Sequence, residues 1–367
     1  MKIGILTFHC AYNYGAVLQA YALQEFLKSK GYSVEIINYR PKYLLTGYRL
    51  FHRIKWRGVI GFVKDVIKEL IIFPKRFRCW LGFFCFERKY FNLSKPISEK
   101  SSIPSSYDVY VVGSDQIWNP YLTHGFDPVY FCDFSFRKDG KFYISYAPSI
   151  GITSLNEEER SFFRKQLQNF DIISVREQNA RELLTPLVDK PLRCVLDPTL
   201  MTPQHVWNKM LTNTFKSEGK YVLVYQAIPN KETLSIAYHI AKQLSAKVIP
   251  IACVASFYSR KESQLESPEG FINAIRNATC VVTNSFHGTA FSIIMNRPFY
   301  TTMHEENGLN ERSRSLLNLL GLQHRMIALN DLPTFSMIDY SKVNSLLDDL
   351  RMESQDFLAS SLVDYLA

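Results

Sequence analysis

No stretch of the 367 residues reaches the roughly 18–20 consecutive apolar positions that a membrane-spanning helix needs. No Cys-x-x-Cys pair occurs among the cysteines at 10, 79, 85, 132, 194, 253 and 280. Neither a zinc site nor a dithiol redox pair is therefore indicated, and the scattered thiols read as small buried hydrophobes. Gly-x-Gly-x-x-Gly is missing, which argues against a dinucleotide cofactor, and Gly-x-Ser-x-Gly is missing, which argues against an α/β-hydrolase. The opening Met1-Lys2-Ile3-Gly4-Ile5-Leu6 has no secretory leader pattern and reads as a first strand, so the expected location is cytoplasmic.

The chain does have an uneven charge. Its net +9 is concentrated in residues 40–89, where seven Arg and six Lys face Asp65, Glu69 and Glu87, a local +10; the remainder, with 30 basic and 31 acidic side chains, is −1. Phe51, Trp56, Phe62, Phe73, Phe77, Trp80, Phe83, Phe84 and Phe86 interleave with those cations. Basic groups beside Trp and Phe suit an anionic membrane interface, which would make the protein peripheral on the inner face of the cytoplasmic membrane. The competing reading is an irregular insertion whose aromatics pack on the parent domain. Nucleic acid would draw the same charges but is not taken as a partner.

The length exceeds what one core usually supports, roughly 250–300 residues, so two domains are expected. Apolar runs alternate with helical spacings throughout, as in a parallel sheet covered by helices. Lys2–Phe8, the helical stretch Ala16–Lys30 with Gly31 just past its end, and Ser33–Asn38 form one βαβ unit. The pattern resumes with Tyr107–Val112, Phe142–Ala147, Asp171–Val175 and Arg193–Leu196, and prolines 186, 191, 198 and 203 place a junction near 198–218. The second half reads as strands Lys220–Gln226, Ala246–Ile251 and Thr279–Thr283, with helices 231–244, 268–277 and one starting near His287. The fold class is α/β, two Rossmann-like domains facing a cleft in a GT-B-like arrangement, divided as 1–198 and 199–367.

Three loops at strand ends carry groups suited to chemistry, because ligands of open α/β sheets bind beyond the carboxyl ends of the strands. The loop 9–15 runs Asn13-Tyr14-Gly15 into a helix start, where glycine allows close backbone approach and free amides suit an anion. The loop 112–118 groups Ser114, Asp115 and Gln116, and a carboxylate there can accept sugar hydroxyl hydrogens. The third, Asn284-Ser285-Phe286-His287-Gly288-Thr289, turns an apolar strand into a helix, an anion cradle with an imidazole at its mouth. Each also has a plain structural reading: the first as a βα turn, the second as an Asx-type cap on the next turn, and His287 as a capping histidine.

Taken in order, 13–23 (Asn-Tyr-Gly-Ala-Val-Leu-Gln-Ala-Tyr-Ala-Leu), 112–119 (Val-Gly-Ser-Asp-Gln-Ile-Trp-Asn), 174–177 (Ser-Val-Arg-Glu), 195–200 (Val-Leu-Asp-Pro-Thr-Leu), 284–292 (Asn-Ser-Phe-His-Gly-Thr-Ala-Phe-Ser) and 310–317 (Asn-Glu-Arg-Ser-Arg-Ser-Leu-Leu) resemble the polysaccharide pyruvyl transferase family. The resemblance runs from residue 1 to about 325 and spares the basic segment. It implies transfer of a pyruvyl group from phosphoenolpyruvate to sugar hydroxyls as a ketal, on a capsule, exopolysaccharide or lipid-linked precursor. It implies no metal and no cofactor beyond the co-substrate. His287 matches the family's donor-site histidine, and Asp115 is the second expected catalytic residue, taking an acceptor hydroxyl. Better-studied branches carry a basic residue two places before that histidine, where Ser285 stands here. The cations must then come from Arg176, Arg312 or Arg314, whose guanidinium forks match carboxylate and phosphate. Asn284, Ser285, Gly288, Thr289 and Asn310 complete the expected donor site in the second domain, whose C-terminal helix would dock back on the first. Asn13, Tyr14, Gly15, Ser114 and Gln116 form the expected acceptor site in the first domain. The alternatives are a GT-B nucleotide-sugar glycosyltransferase and a non-catalytic sugar-binding member.

Overall fold

The computed structural model describes residues 1–48, 50, 58–134, 136, 140–211, 215, 217–252, 264–303, 307–363 and 365. The aromatics Phe51 and Trp56 and the cations Arg53, Lys55 and Arg57 of the basic segment lie outside that set.

The apolar runs form two parallel sheets of six strands each. The first holds β1 (Lys2–Leu6), β2 (Ser33–Ile36), β3 (Val109–Val112), β4 (Phe142–Ser145), β5 (Ile172–Val175) and β6 (Leu192–Cys194), in the order β2-β1-β3-β4-β5-β6. The second holds β7 (Tyr221–Tyr225), β8 (Lys247–Ala252), β9 (Gln264–Leu265), β10 (Cys280–Thr283), β11 (Phe299–Thr302) and β12 (Met326–Ile327), in the order β12-β11-β10-β7-β8-β9. Strands β3 and β10 are buried throughout, as continuous β-branched runs in a sheet covered on both faces should be. Chain order reverses between β1 and β3 in one sheet and between β7 and β10 in the other. These switch points are where open α/β sheets bind ligands, and they carry all three loops singled out in the sequence.

Helix starts follow their caps. Asn13 accepts from Gly15 N (3.0 Å) at the head of helix Tyr14–Ser29. Ser267 does the same for Gly270 N (3.1 Å) ahead of Pro268, and Ser285 caps helix Phe286–Ile294.

The described part of the connection between the sheets is anchored in the core. Leu200, Met201 and Trp207 are buried in a cluster that takes residues from both halves, from Ile3 to Leu362. The C-terminal helix Tyr340–Val363 lies against it: Ser354 Oγ accepts from Leu196 N (3.0 Å), and Arg351 Nε and Gln355 Nε2 donate to the carbonyls of Leu200 and Met201 (3.0 and 2.9 Å). Residues 58–90, in which the sequence shows only an interruption, form one 33-residue helix containing Pro74.

Candidate active site

Asp197, which the sequence does not single out, is the centre of the site. Its backbone precedes Pro198-Thr199, and Oδ1 caps the short helix Pro198–Met201 by accepting from Thr199 N (2.9 Å) and Oγ1 (2.7 Å). That leaves Oδ2 free to turn into the cleft. There it accepts from Arg176 Nη1 at 2.8 Å, lies 3.0 Å from Ser114 Oγ, and lies 3.6 Å from His287 Nε2. Burial alone would raise this carboxyl. The imidazole, the Arg176 guanidinium and the Thr199 hydrogen bond outweigh that and hold it well below the ordinary carboxylate range.

Arg176 leaves the end of β5 almost wholly buried, its guanidinium 4.6 Å above the Phe286 ring and its Nε 3.7 Å from Glu177 Oε2. A cation over an aromatic face is held in place without using up its hydrogen-bond donors. Glu177 is itself fixed by Ser149 Oγ (2.8 Å) and Ile150 N (3.1 Å). Arg312, from helix Asn307–Leu319, comes to the same place. Burial first, and the neighbouring Arg176 second, pull it down to about 10. The carboxylate of Asp115 acts on both guanidiniums. Asp115 sits in the left-handed region (φ 63°), which Asp tolerates, with its carbonyl accepting from Ser149 N (2.8 Å).

His287 enters as the second residue of its helix and packs flat on Gly15: a methyl on Gly15 would lie 2.0 Å from the imidazole Nδ1. The two Rossmann-like halves therefore meet at a glycine and a histidine. Gly288 is equally required, since a methyl there would lie 2.2 Å from Thr283 Oγ1, closing the helix onto β10. Gly15→Ala should cost about 1–3 kcal/mol in urea unfolding and lower turnover at once, because the imidazole must move; an unchanged unfolding midpoint would show that the loop gives way instead.

Beside this cluster lies a cavity of about 1000 Å³ whose walls include Arg176, Arg193, Asp197, Phe286, Arg312 and the C-terminal helix at Phe357. Among the described residues, four buried nitrogens here have no hydrogen-bond partner: Arg176 Nε and Nη2, Arg312 Nε and His287 Nε2. Buried donors left unmet cost free energy, and their convergence makes a socket for a polyanion.

The structure thus draws together His287, Asp115, Arg176, Arg312, Gly15 and Ser114. It gives other candidates different work. Arg314 is exposed and pairs with Glu311 (3.3 Å), because two residues along a helix is more than half a turn from Arg312. Tyr14 is fully buried between the halves, its hydroxyl donating to the carbonyl of Ala252 (3.0 Å) or Glu266 (3.1 Å) and its ring stacked on Phe271 (4.4 Å), so it offers a sugar nothing. Asn284 fastens the loop after β7, accepting from Ala227 N and donating to Ile228 O (2.9 and 2.7 Å). Ser285 is a cap; Thr289 meets Thr301 inside the second sheet's packing, and Asn310 is buried. Asn13 is spent on Gly15, and Gln116 accepts from Asn119 (2.8 Å) at the rim.

Two parallel sheets with facing switch points, and an Asp–His–Arg cluster between them, define a two-domain α/β group-transfer protein of GT-B-like build. The family model for polysaccharide pyruvyl transferase matches residues 13–305. The chain belongs to that family; it is a transferase, with a general role in polysaccharide pyruvylation. None of the curated proteins matches the sequence. Among solved structures, a putative UDP-N-acetylglucosamine 2-epimerase from Listeria monocytogenes is similar over 98% of this chain and 91% of its own, at 10% identity and TM-score 0.45. The UDP-GlcNAc 2-epimerase of Methanocaldococcus jannaschii (12%, 95% and 92%, 0.45) and the E. coli ADP-heptose lps heptosyltransferase II (12%, 97% and 100%, 0.42) are similar to the same degree.

Proposed function

We infer that the protein moves a pyruvyl group from phosphoenolpyruvate to two hydroxyls of one sugar, forming a ketal on a surface polysaccharide or its lipid-linked precursor. The observation that carries this reading is that Arg176 and Arg312, each with buried guanidinium nitrogens that have no hydrogen-bond partner, line one cavity beside His287. Phosphoenolpyruvate presents a carboxylate and a phosphate close together, and two adjacent guanidiniums match that pair. Arg176 and Arg312 supply the charge that Ser285 does not.

His287 gives a proton to the donor methylene carbon, and cation character develops at the carbon bearing the phosphate oxygen. A sugar hydroxyl adds there, forming one C–O bond, and its proton passes through Asp115 and returns to His287. The bond between that carbon and the phosphate oxygen then breaks, with Arg176 and Arg312 holding the leaving group. A second hydroxyl forms the other C–O bond and its proton leaves with phosphate. Asp197 positions the imidazole. Its 3.6 Å separation from Nε2 is the loose geometry common before substrate draws a site together.

The test is phosphate release from phosphoenolpyruvate against a panel of lipid-linked galactosides and mannosides. Release that requires one acceptor supports the reading; stabilisation of the protein by a nucleoside diphosphate, with none by phosphoenolpyruvate, overturns it. Arg176→Ala and Arg312→Ala should each raise the apparent KM for phosphoenolpyruvate by roughly 10–100-fold, since hydrogen bonds to charged groups are worth about 1.5–3 kcal/mol, with a smaller effect on acceptor KM. Unchanged donor KM in both would remove these cations from the donor site.

A further inference from the structure

Among the described residues, the helix Gly58–Tyr90 is covered on one side only. Its inward residues Ile72, Cys79, Phe83 and Phe86 are buried, and Phe83 stacks on Tyr12 and Tyr14 at the junction of the two halves (5.1 and 5.3 Å). Turned away are Ile60, Val63, Ile67, Leu70, Ile71 and Leu81, with Ile60, Leu70 and Ile71 75%, 68% and 71% exposed. At about 100° per residue these six fall within an arc of roughly 100° on the helix surface, a continuous apolar stripe. Large aliphatic side chains concentrated on one exposed face mark an interaction surface.

The charges say what kind. Glu69 and Glu87 are turned toward the protein and paired with Arg76 (2.9 Å) and Arg40 (2.8 Å). Lys64 and Lys75 stand exposed along one edge of the stripe, Arg78 stands exposed within its arc, and Arg88 and Lys89 stand exposed further along. The face is therefore apolar and cationic, with acids withdrawn from it. A second copy of this chain would bring the same positive charge and be repelled. An anionic lipid surface offers both a medium for the stripe and counter-charge for its edge. Among the described residues no helix is long and apolar enough to cross a membrane, so this one would lie along the surface.

We propose that the exposed face of helix Gly58–Tyr90 docks the protein on an anionic bilayer, with the apolar stripe sunk among the acyl chains and Lys64, Lys75 and Arg78 at the headgroups. The same helix packs beside Tyr12 and Tyr14, so docking would hold the first sheet's switch-point loop close to the lipid surface.

The full-length protein is sedimented with phosphatidylcholine vesicles, and with vesicles that also contain phosphatidylglycerol, over a range of salt. It should pellet with the anionic vesicles at low salt, stay in solution with the neutral ones, and be released as salt shortens the Debye length to about 8 Å and below. Lys64→Gln/Lys75→Gln/Arg78→Gln should lower partitioning on the order of a hundredfold, from about tenfold per 1.4 kcal/mol and roughly 1 kcal/mol per cation. Ile60→Ser/Ile67→Ser/Ile71→Ser should lower it by at least about tenfold. Both triple variants change exposed positions and should keep phosphate release with a water-soluble acceptor. The proposal is overturned by equal pelleting with both vesicle types, by wild-type protein that pellets with neither, or by either variant binding as wild type does. It is also overturned if the isoleucine variant abolishes a self-association of the wild type, or if either variant loses soluble-acceptor turnover.

Discussion

His287→Ala should lower transfer by about 10²–10⁴, the usual range for removing a positioned acid–base group, while the protein stays folded. The imidazole sits where the two switch points meet, with Nε2 unpartnered 3.6 Å from a carboxylate and the ring flat on Gly15. His287→Gln keeps most of the volume against Gly15 and should be equally inactive, which separates lost proton transfer from lost packing. The rates are read as phosphate release at saturating phosphoenolpyruvate, with the fold checked by thermal unfolding. A folded His287→Ala protein with near-wild-type turnover would take the histidine out of the mechanism.

Asp197→Asn should be the most destabilising single change in the cleft, at about 3–5 kcal/mol in urea unfolding at pH 7, because it takes from buried Arg176 its hydrogen-bonded counter-charge and leaves only the more distant Glu177 and Asp115. It should also cost activity, since the amide cannot orient His287 as an anion does. In the wild type this carboxyl ionises well below its ordinary value of 3.8, at which the unfolded chain takes up the proton. Between those two values the unfolded state binds more protons, so stability falls as pH drops. The contribution is complete above about pH 5 and drains away below about pH 4. The stability gap between wild type and Asp197→Asn should therefore be flat from about pH 5 to 8 and narrow on acidification. A gap that is absent at pH 7, or one that widens in acid, would mean that Arg176 is neutralised by other groups.

Much of the fold could be read from the chain because its causes are local. Apolar β-branched runs marked the strands, and the helices expected at 268–277 and near His287 are present as Pro268–Asn277 and Phe286–Ile294. His287 was legible for the same reason, since strand, turn and helix lie within ten residues. Asp197 was not. Asp-Pro-Thr accounts fully for one carboxylate oxygen as a cap, and the other meets partners 21 and 83 residues earlier in the chain. Tyr14 misled because a residue beside a loop glycine looks like cleft wall, and only the second domain reveals it as buried. Arg312 and Arg314 looked equivalent as sequence, although helical pitch alone separates them. The helix at 58–90 was hidden by Pro74 and by a packing face whose partners, Tyr12, Tyr14 and Ser267, come from both halves.

The apolar cluster running from Ile3 to Leu362 gives the chain a particular kind of inheritance. Gene fusion and shuffling work on modules whose interfaces are polar and shallow, and here the seam is made of stacked rings: Tyr14 on Phe271 and on Phe83. A relative's second half grafted after residue 198 would have to bring a matching surface for those rings and a glycine-sized space opposite its histidine. The two sheets therefore have to drift together.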